Sequence, residues 1–202
     1  MSTKHIILCV IAAMAAPASQ AQLLDRLALD SVRTYRSLER AMQDPLAVHR
    51  LELTGKKLKE VPEEVRHFRN LNALDLSGNR IRTLPDWLGE LAHIQEFRAA
   101  RNKLSGEASV VCKWKHLKRL DMSRNALTGL PPCMGQLKEL VSIDLWDNNL
   151  GDFPDEIAGM EALRFFDLRA IQFDQPEMDR IQDLLPRAKI WFSQPCNCGS
   201  TP

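Results

Sequence analysis

The chain has 202 residues, with 27 Lys and Arg against 26 Asp and Glu and a formal net charge of +1. That balance excludes the basic footprint a sequence-independent nucleic-acid binder needs. The opening residues are set apart from the fold. Lys4 precedes an unbroken apolar run from Ile6 to Ala16, Pro17 breaks the run, and Ser19-Gln20-Ala21 forms a small-x-small cleavage site. This is the layout of a signal peptide over residues 1–21. The run is shorter than the roughly 20 residues of a membrane-spanning helix, so the mature chain is expected to lack a span. Cys9 has no small residues just ahead of it, so no lipid anchor is expected.

Residues 22–47 read as an N-terminal capping helix. Leu24, Leu27, Val32, Tyr35, Leu38 and Met42 form an apolar stripe, and Asp44-Pro45 ends it. A repeat follows. Leu71, Ile94, Leu117, Leu140 and Leu163 recur every 23 residues and define place one of the unit. Apolar residues recur at place four (Leu74, Phe97, Leu120, Ile143, Phe166) and place six (Leu76, Ala99, Met122, Leu145, Leu168). Place nine is Asn79, Asn102, Asn125 and Asn148, and place eleven is Ile81, Leu104, Leu127, Leu150 and Phe173. A looser unit opens at Val48, which makes six units over residues 48–173. Residues 174–202 form a C-terminal cap: Pro176 to Leu185 reads as a helix, Ile190-Trp191-Phe192 as a last strand, and Cys196 and Cys198 lie in the tail.

The alternation at Leu74-Asp75-Leu76 has period two, so each unit contributes one short strand with a buried and an open face. No unit buries its apolar face alone, so the core exists only as a stack. The asparagine column suits a buried turn, where its amide satisfies loose backbone groups. Pro85, Pro131 and Pro154 fix φ and send the chain back along the far side.

These columns resemble the leucine-rich-repeat family, with its pattern L-x-x-L-x-L-x-x-N-x-L. Val61-Pro62, Leu84-Pro85, Leu130-Pro131 and Phe153-Pro154, each followed by spaced apolar residues, resemble the L-P-containing subclass found in bacterial surface proteins. The resemblance implies an α/β horseshoe solenoid, with a single parallel sheet on the concave face and helical caps. Two departures fall in end units, Lys56 and Ile171 standing where asparagine is expected, as terminal repeats allow. The third unit is irregular within itself. Glu107-Ala108 replaces Leu-Pro, Trp114 takes a leucine place, and Ser105-Gly106 suggests a different, re-registered return path.

Strand residues pointing away from the core would form the concave surface. Its middle column, place five, runs Glu52, Asp75, Arg98, Asp121, Asp144 and Asp167. Toward the strand exit stand Arg101, Arg124, Trp146, Asp147 and Arg169. The expected ligand-binding set is Arg98, Arg101, Asp121, Arg124, Asp144, Trp146, Asp147 and Arg169, centred on the arginines and Trp146, the residue types enriched at interface hot spots. Pairing of opposite charges between adjacent strands is the alternative use of the same residues. Charge is also uneven along the chain. Residues 22–116 hold 17 basic and 13 acidic residues, and residues 117–202 hold 9 and 13.

Four cysteines follow the signal peptide, and three pairings are open to them. Cys112 and Cys133 fall on the far sides of adjacent units, which allows a disulfide stapling the irregular unit. The use of Cys196 and Cys198 stays open. His93, His116 and Glu139 share one place in successive units, but no cysteine or fixed motif accompanies them, so no metal is expected. There is no Gly-rich phosphate loop, H-E-x-x-H or G-x-S-x-G, so neither catalysis nor a cofactor is expected. The expectation is a monomeric, non-catalytic module that binds a protein ligand on its concave face after export to the periplasm or beyond. An adhesive role toward glycan or matrix is the alternative.

Overall fold

The structure, a computed structural model, describes residues 23–151 and 153–194. The signal-peptide reading and the Cys196/Cys198 pair lie outside the described residues. Among those described, no helix is long and apolar enough to cross a membrane.

Among the described residues, eight strands form one parallel sheet. In chain order these are β1 (Thr34–Tyr35), β2 (Arg50–Glu52), β3 (Ala73–Asp75) and β4 (Glu96–Arg98). A two-residue β5 (Ser105–Gly106) intervenes before β6 (Arg119–Asp121). Then come β7 (Ala126–Leu127), β8 (Ser142–Asp144), β9 (Phe165–Leu168) and β10 (Lys189–Phe192). The main sheet runs β1-β2-β3-β4-β6-β8-β9-β10, and β5 pairs with β7 in a small separate ladder. Register repeats the sequence period: Leu51, Leu74, Phe97, Leu120, Ile143, Phe166 and Ile190 are successive partners. All but Ile190 are at most 2% exposed.

The return paths are short. Five-residue 3₁₀ turns occupy Glu63–His67, Asp86–Glu90, Ser109–Lys113, Pro132–Gln136 and Asp155–Gly159. Pro62, Pro85, Pro131 and Pro154 each stand just before one. A unit of 23 residues leaves too few for an α-helix after the strand and asparagine turn, so the far side carries the tighter i→i+3 form. The irregular third unit keeps its register despite the expectation of a shifted one. Its path differs only up to Ala108, whose left-handed φ of 50° does the redirecting that proline does elsewhere. Trp114 then fills the leucine place fully buried, its Nε1 donating to the Leu88 carbonyl at 3.1 Å, with its ring 4.7 Å from Phe97. Cys112 and Cys133 are disulfide-bonded across the adjacent turns.

The asparagines form a ladder. Asn148 Oδ1 accepts from Leu127 N–H at 3.0 Å, while its Nδ2 donates to the Met122 and Leu145 carbonyls at 3.1 and 2.9 Å. Asn79, Asn102 and Asn125 repeat this pattern one unit apart. Each side chain therefore ties its own turn to the turn before it.

The N-terminal region corrects the single-helix expectation. It breaks into α1 (Arg26–Ser31), β1, α2 (Leu38–Ala41) and a 3₁₀ turn at Pro45–Ala47. The β-branched and aromatic residues of Val32-Arg33-Thr34-Tyr35 favour extended backbone, and Tyr35 joins the core beside Leu51. Edge capping falls to β1 and α2. α1 does something else: it crosses the sheet. The Arg50 guanidinium donates to the Leu29 carbonyl at 3.0 Å above β2, and Leu24 N–H and C=O bond the Gln95 side chain at 2.9 and 2.8 Å beside β4. Six helical residues rise about 9 Å, close to two inter-strand steps of about 4.8 Å. At the other end α3 (Gln175–Leu184) is capped by Asp174, which accepts from Glu177 N–H at 2.9 Å. It buries Met178 and Ile181, and β10 closes the sheet beside β9.

Candidate functional site

The half-buried place-five carboxylates have a local task as well as a place on the open face. Asp75, Asp121, Asp144 and Asp167 accept from the backbone N–H two residues on, at 2.8, 3.0, 3.0 and 3.1 Å. Each fixes the exit of its strand in the manner of an Asx turn. Arg98 cannot do this, and Ala100 N–H is instead met by the hydroxyl of Ser77 from the preceding unit at 3.2 Å.

The expected ligand residues divide into groups. Arg124 lies 4.6 Å above the Trp146 ring and 3.6 Å from Asp147, so these three form one cluster. Arg169 grips the Asp167 carboxylate through Nε at 2.9 Å. Arg98 sits in register between Asp75 and Asp121, exposed, and Arg101 is exposed one unit before Arg124. Asp144 lies between Asp121 and Asp167. Burial pushes its carboxyl above the usual range, and the charges of Asp121 and Asp167 add to the push against the Trp146 N–H bond.

Place eight is the least expected feature. Its backbone is left-handed in every unit: Gly55 and Gly78 have φ of 67° and 70°, and Arg101, Arg124, Asp147 and Ala170 have 54°, 55°, 58° and 57°. Glycine adopts this region freely, whereas other residues are strained in it by about 1 kcal/mol. The turn itself does not vary. Gly78, Arg101, Arg124 and Asp147 all donate N–H to the carbonyl at place seven of the next unit, at 2.7 to 3.0 Å. Three central units thus carry polar side chains, two of them arginine, where glycine fits better.

Place three was absent from the sequence reading. Arg50, Ala73, Glu96, Arg119, Ser142, Phe165 and Lys189 are register partners on the same face as place five. Glu96 is 6% exposed and joins Arg50 at 3.4 Å to Arg119 at 3.2 Å. Phe165 is 48% exposed and stacks on Trp191, the rings 6.2 Å apart and 16° from parallel, and Lys189 lies 5.1 Å over Trp191. The signal for this column was the strand period itself, since residues on both sides of the place-four leucine face outward.

The residues weighed for a metal do not converge. His116 Nδ1 lies 2.9 Å from Glu139, while His93 turns to the Arg69 carbonyl at 3.2 Å. A wide groove beside the turns at 63–67 and 86–90 is lined by Arg66, Trp87 and Glu90. Arg66 covers Trp87 at 5.5 Å and reaches Glu90 at 3.3 Å, so its charge is matched internally.

The family profile described as Leucine Rich Repeat matches residues 70–91 and 116–137. The chain is a leucine-rich-repeat solenoid. No curated protein matches it. Among solved structures, this solenoid is similar to a leucine-rich-repeat protein of Leptospira interrogans. The two are 26% identical with a TM-score of 0.63, over 81% of this chain and 49% of that one. It is also similar to an internalin of Listeria monocytogenes (18% identity, TM-score 0.61, 81% of this chain and 53% of that one). Internalin C2 of the same organism gives 21% identity and a TM-score of 0.63, over 75% and 64%. The chain spans about half the length of the first two. Leucine-rich-repeat domains are typically protein-binding modules built around an extended concave surface.

Proposed function

We propose that this solenoid is a non-catalytic module that binds a protein ligand on its concave face, outside the cytoplasm. The observation that supports it most is the strained place eight. Arg101, Arg124 and Asp147 hold left-handed backbone where Gly55 and Gly78 occupy the same turn without strain. Strained backbone clusters at functional sites. These three residues project at strand exits, Arg124 and Asp147 beside Trp146 and Arg101 one unit before them, and arginine and tryptophan are the side chains that dominate interface energetics. The place outside the cytoplasm rests on the layout of residues 1–21.

The test is cross-linking and capture of partners by the tagged protein in its native cells, comparing the parent with R101E/R124E and with W146A. Loss of the captured partner by at least tenfold, with the melting temperature held within a few degrees, is the expected result. Undiminished capture by both folded variants would remove the proposal.

A further inference from the structure

We infer that the docking half of the concave face is its C-terminal half, β6 to β10, and that it takes a lysine or arginine side chain of an extended polypeptide, seated on Phe165 and against Asp144. This rests on the protein-binding reading above and specifies where the partner sits and what chemistry it presents.

Place three of the N-terminal half is already covered. α1 and the residues just before it lie across β2 to β4. Beneath them Ala73 and Glu96 of place three are 3% and 6% exposed, and Leu29 of α1 is 4% exposed. The charges around the crossing segment are paired as well, Arg36 with Glu52 at 2.9 Å and Arg50 with Glu96 and Asp30 at 3.4 and 3.7 Å. Place three of the C-terminal half lies open, and Phe165 presents a large ring where Glu96 is covered.

The chemistry of the occupant follows from the ion pairs. On the C-terminal half the cations are committed: Arg119 to Glu96, Arg124 to Trp146 and Asp147, Arg169 to Asp167, and Lys189 to the Trp191 ring. Asp121 and Asp144, on adjacent strands, accept from turn amides, and Asp121 also from the Ser123 hydroxyl. Residues 117–202 as a whole hold 9 basic against 13 acidic residues. A cationic side chain from outside therefore meets the Asp144 carboxylate and an aromatic surface together. Aromatic faces attract ammonium and guanidinium groups, and Lys189 over Trp191 shows the same contact made within the chain. Asp144 stands one strand from Phe165, at the next place along, so one cation can touch both.

The probe is a phage-displayed library of random linear peptides selected on the purified, immobilised full-length protein. Selected peptides are then synthesised and titrated against it. The expected result is a shared Lys or Arg whose replacement by norleucine weakens binding at least tenfold. F165S and D144N should each weaken it to a similar degree, while T54Y, at the exposed exit of β2 one unit before Ser77, leaves it within twofold. Peptides lacking a basic residue, a library with no binder, or loss through T54Y in place of F165S would overturn the inference and leave concave-face binding standing. Binding that ignores F165S, D144N, T54Y and R101E/R124E alike would overturn both readings.

Discussion

Place three of the repeat is built twice on the same frame and used in two ways. In β3 and β4 it is Ala73 and Glu96, buried under α1; in β8 and β9 it is Ser142 and Phe165, half-buried and exposed. The strands, their register and the asparagine turns do not differ between the halves. What differs is a short segment near the N-terminus that converts one part of a binding surface into interior. A solenoid repeats its backbone without repeating its environment. Whether a concave residue is core or interface is decided by what lies over it.

The largest expected effect tests the shared frame. N79A and N148A each strip a buried turn of one acceptor and two donated bonds, at about 3 kcal/mol for several unmet backbone groups. For a chain of this size that is a fall of roughly 6–12 °C in melting temperature. Calorimetry should find the two alike, and a gap of more than about 1 kcal/mol would show that the halves do not rest on one scaffold.

The next separates interior from surface. E96A leaves the Arg50 and Arg119 guanidinium groups without the carboxylate that joins them, a loss of about 2–3 kcal/mol because Arg50 is largely covered. F165S, in the same column, should change denaturant stability by less than about 1 kcal/mol, as surface positions do. Equal losses at both would mean that Phe165 is structural. A smaller effect runs the other way. R101G should stabilise the fold by about 0.5–1 kcal/mol by relieving its left-handed backbone, while weakening capture of the partner. A destabilised R101G would remove the strain argument.

The smallest concerns Asp144, whose carboxyl titrates above the usual range because it is partly buried among like charges. Holding it ionised opposes folding, so its unfavourable contribution is full at neutral pH and fades as pH falls through its raised pKa. D144N should therefore raise the melting temperature at pH 7 by no more than about 2–4 °C, the scale of ~1 kcal/mol. At pH 3, where aspartate is protonated folded or unfolded, parent and variant should melt together. A gain that persists at pH 3 would point to packing in place of charge.

Much of this was legible in the sequence. Spacing of 23 gave the stack, the apolar columns its core and the asparagine column its turns, because each depends on contacts between identical places in neighbouring units. The place-five residues and the Arg124–Trp146 pair could be read for the same reason. The crossing of α1 could not be, since it hangs on the bond between Leu24 and Gln95, 71 residues apart and outside any repeat. The apolar stripe of the N-terminal segment misled for a related cause: Leu27, one of its members, is 80% exposed. Place three was overlooked because its residues, from Ala73 to Phe165, share no chemistry, although the strand period puts them on the open face.

The disulfide between Cys112 and Cys133 bears on how the molecule yields to force. Units at either end can peel away one at a time, but the 21-residue separation between the cysteines cannot be drawn out while the bond stands. Pulled from its termini, the oxidised chain should extend about 65 Å less than the reduced one. The tether links the third and fourth units, so residues 112–133 are the ones that stay looped together when the ends fray.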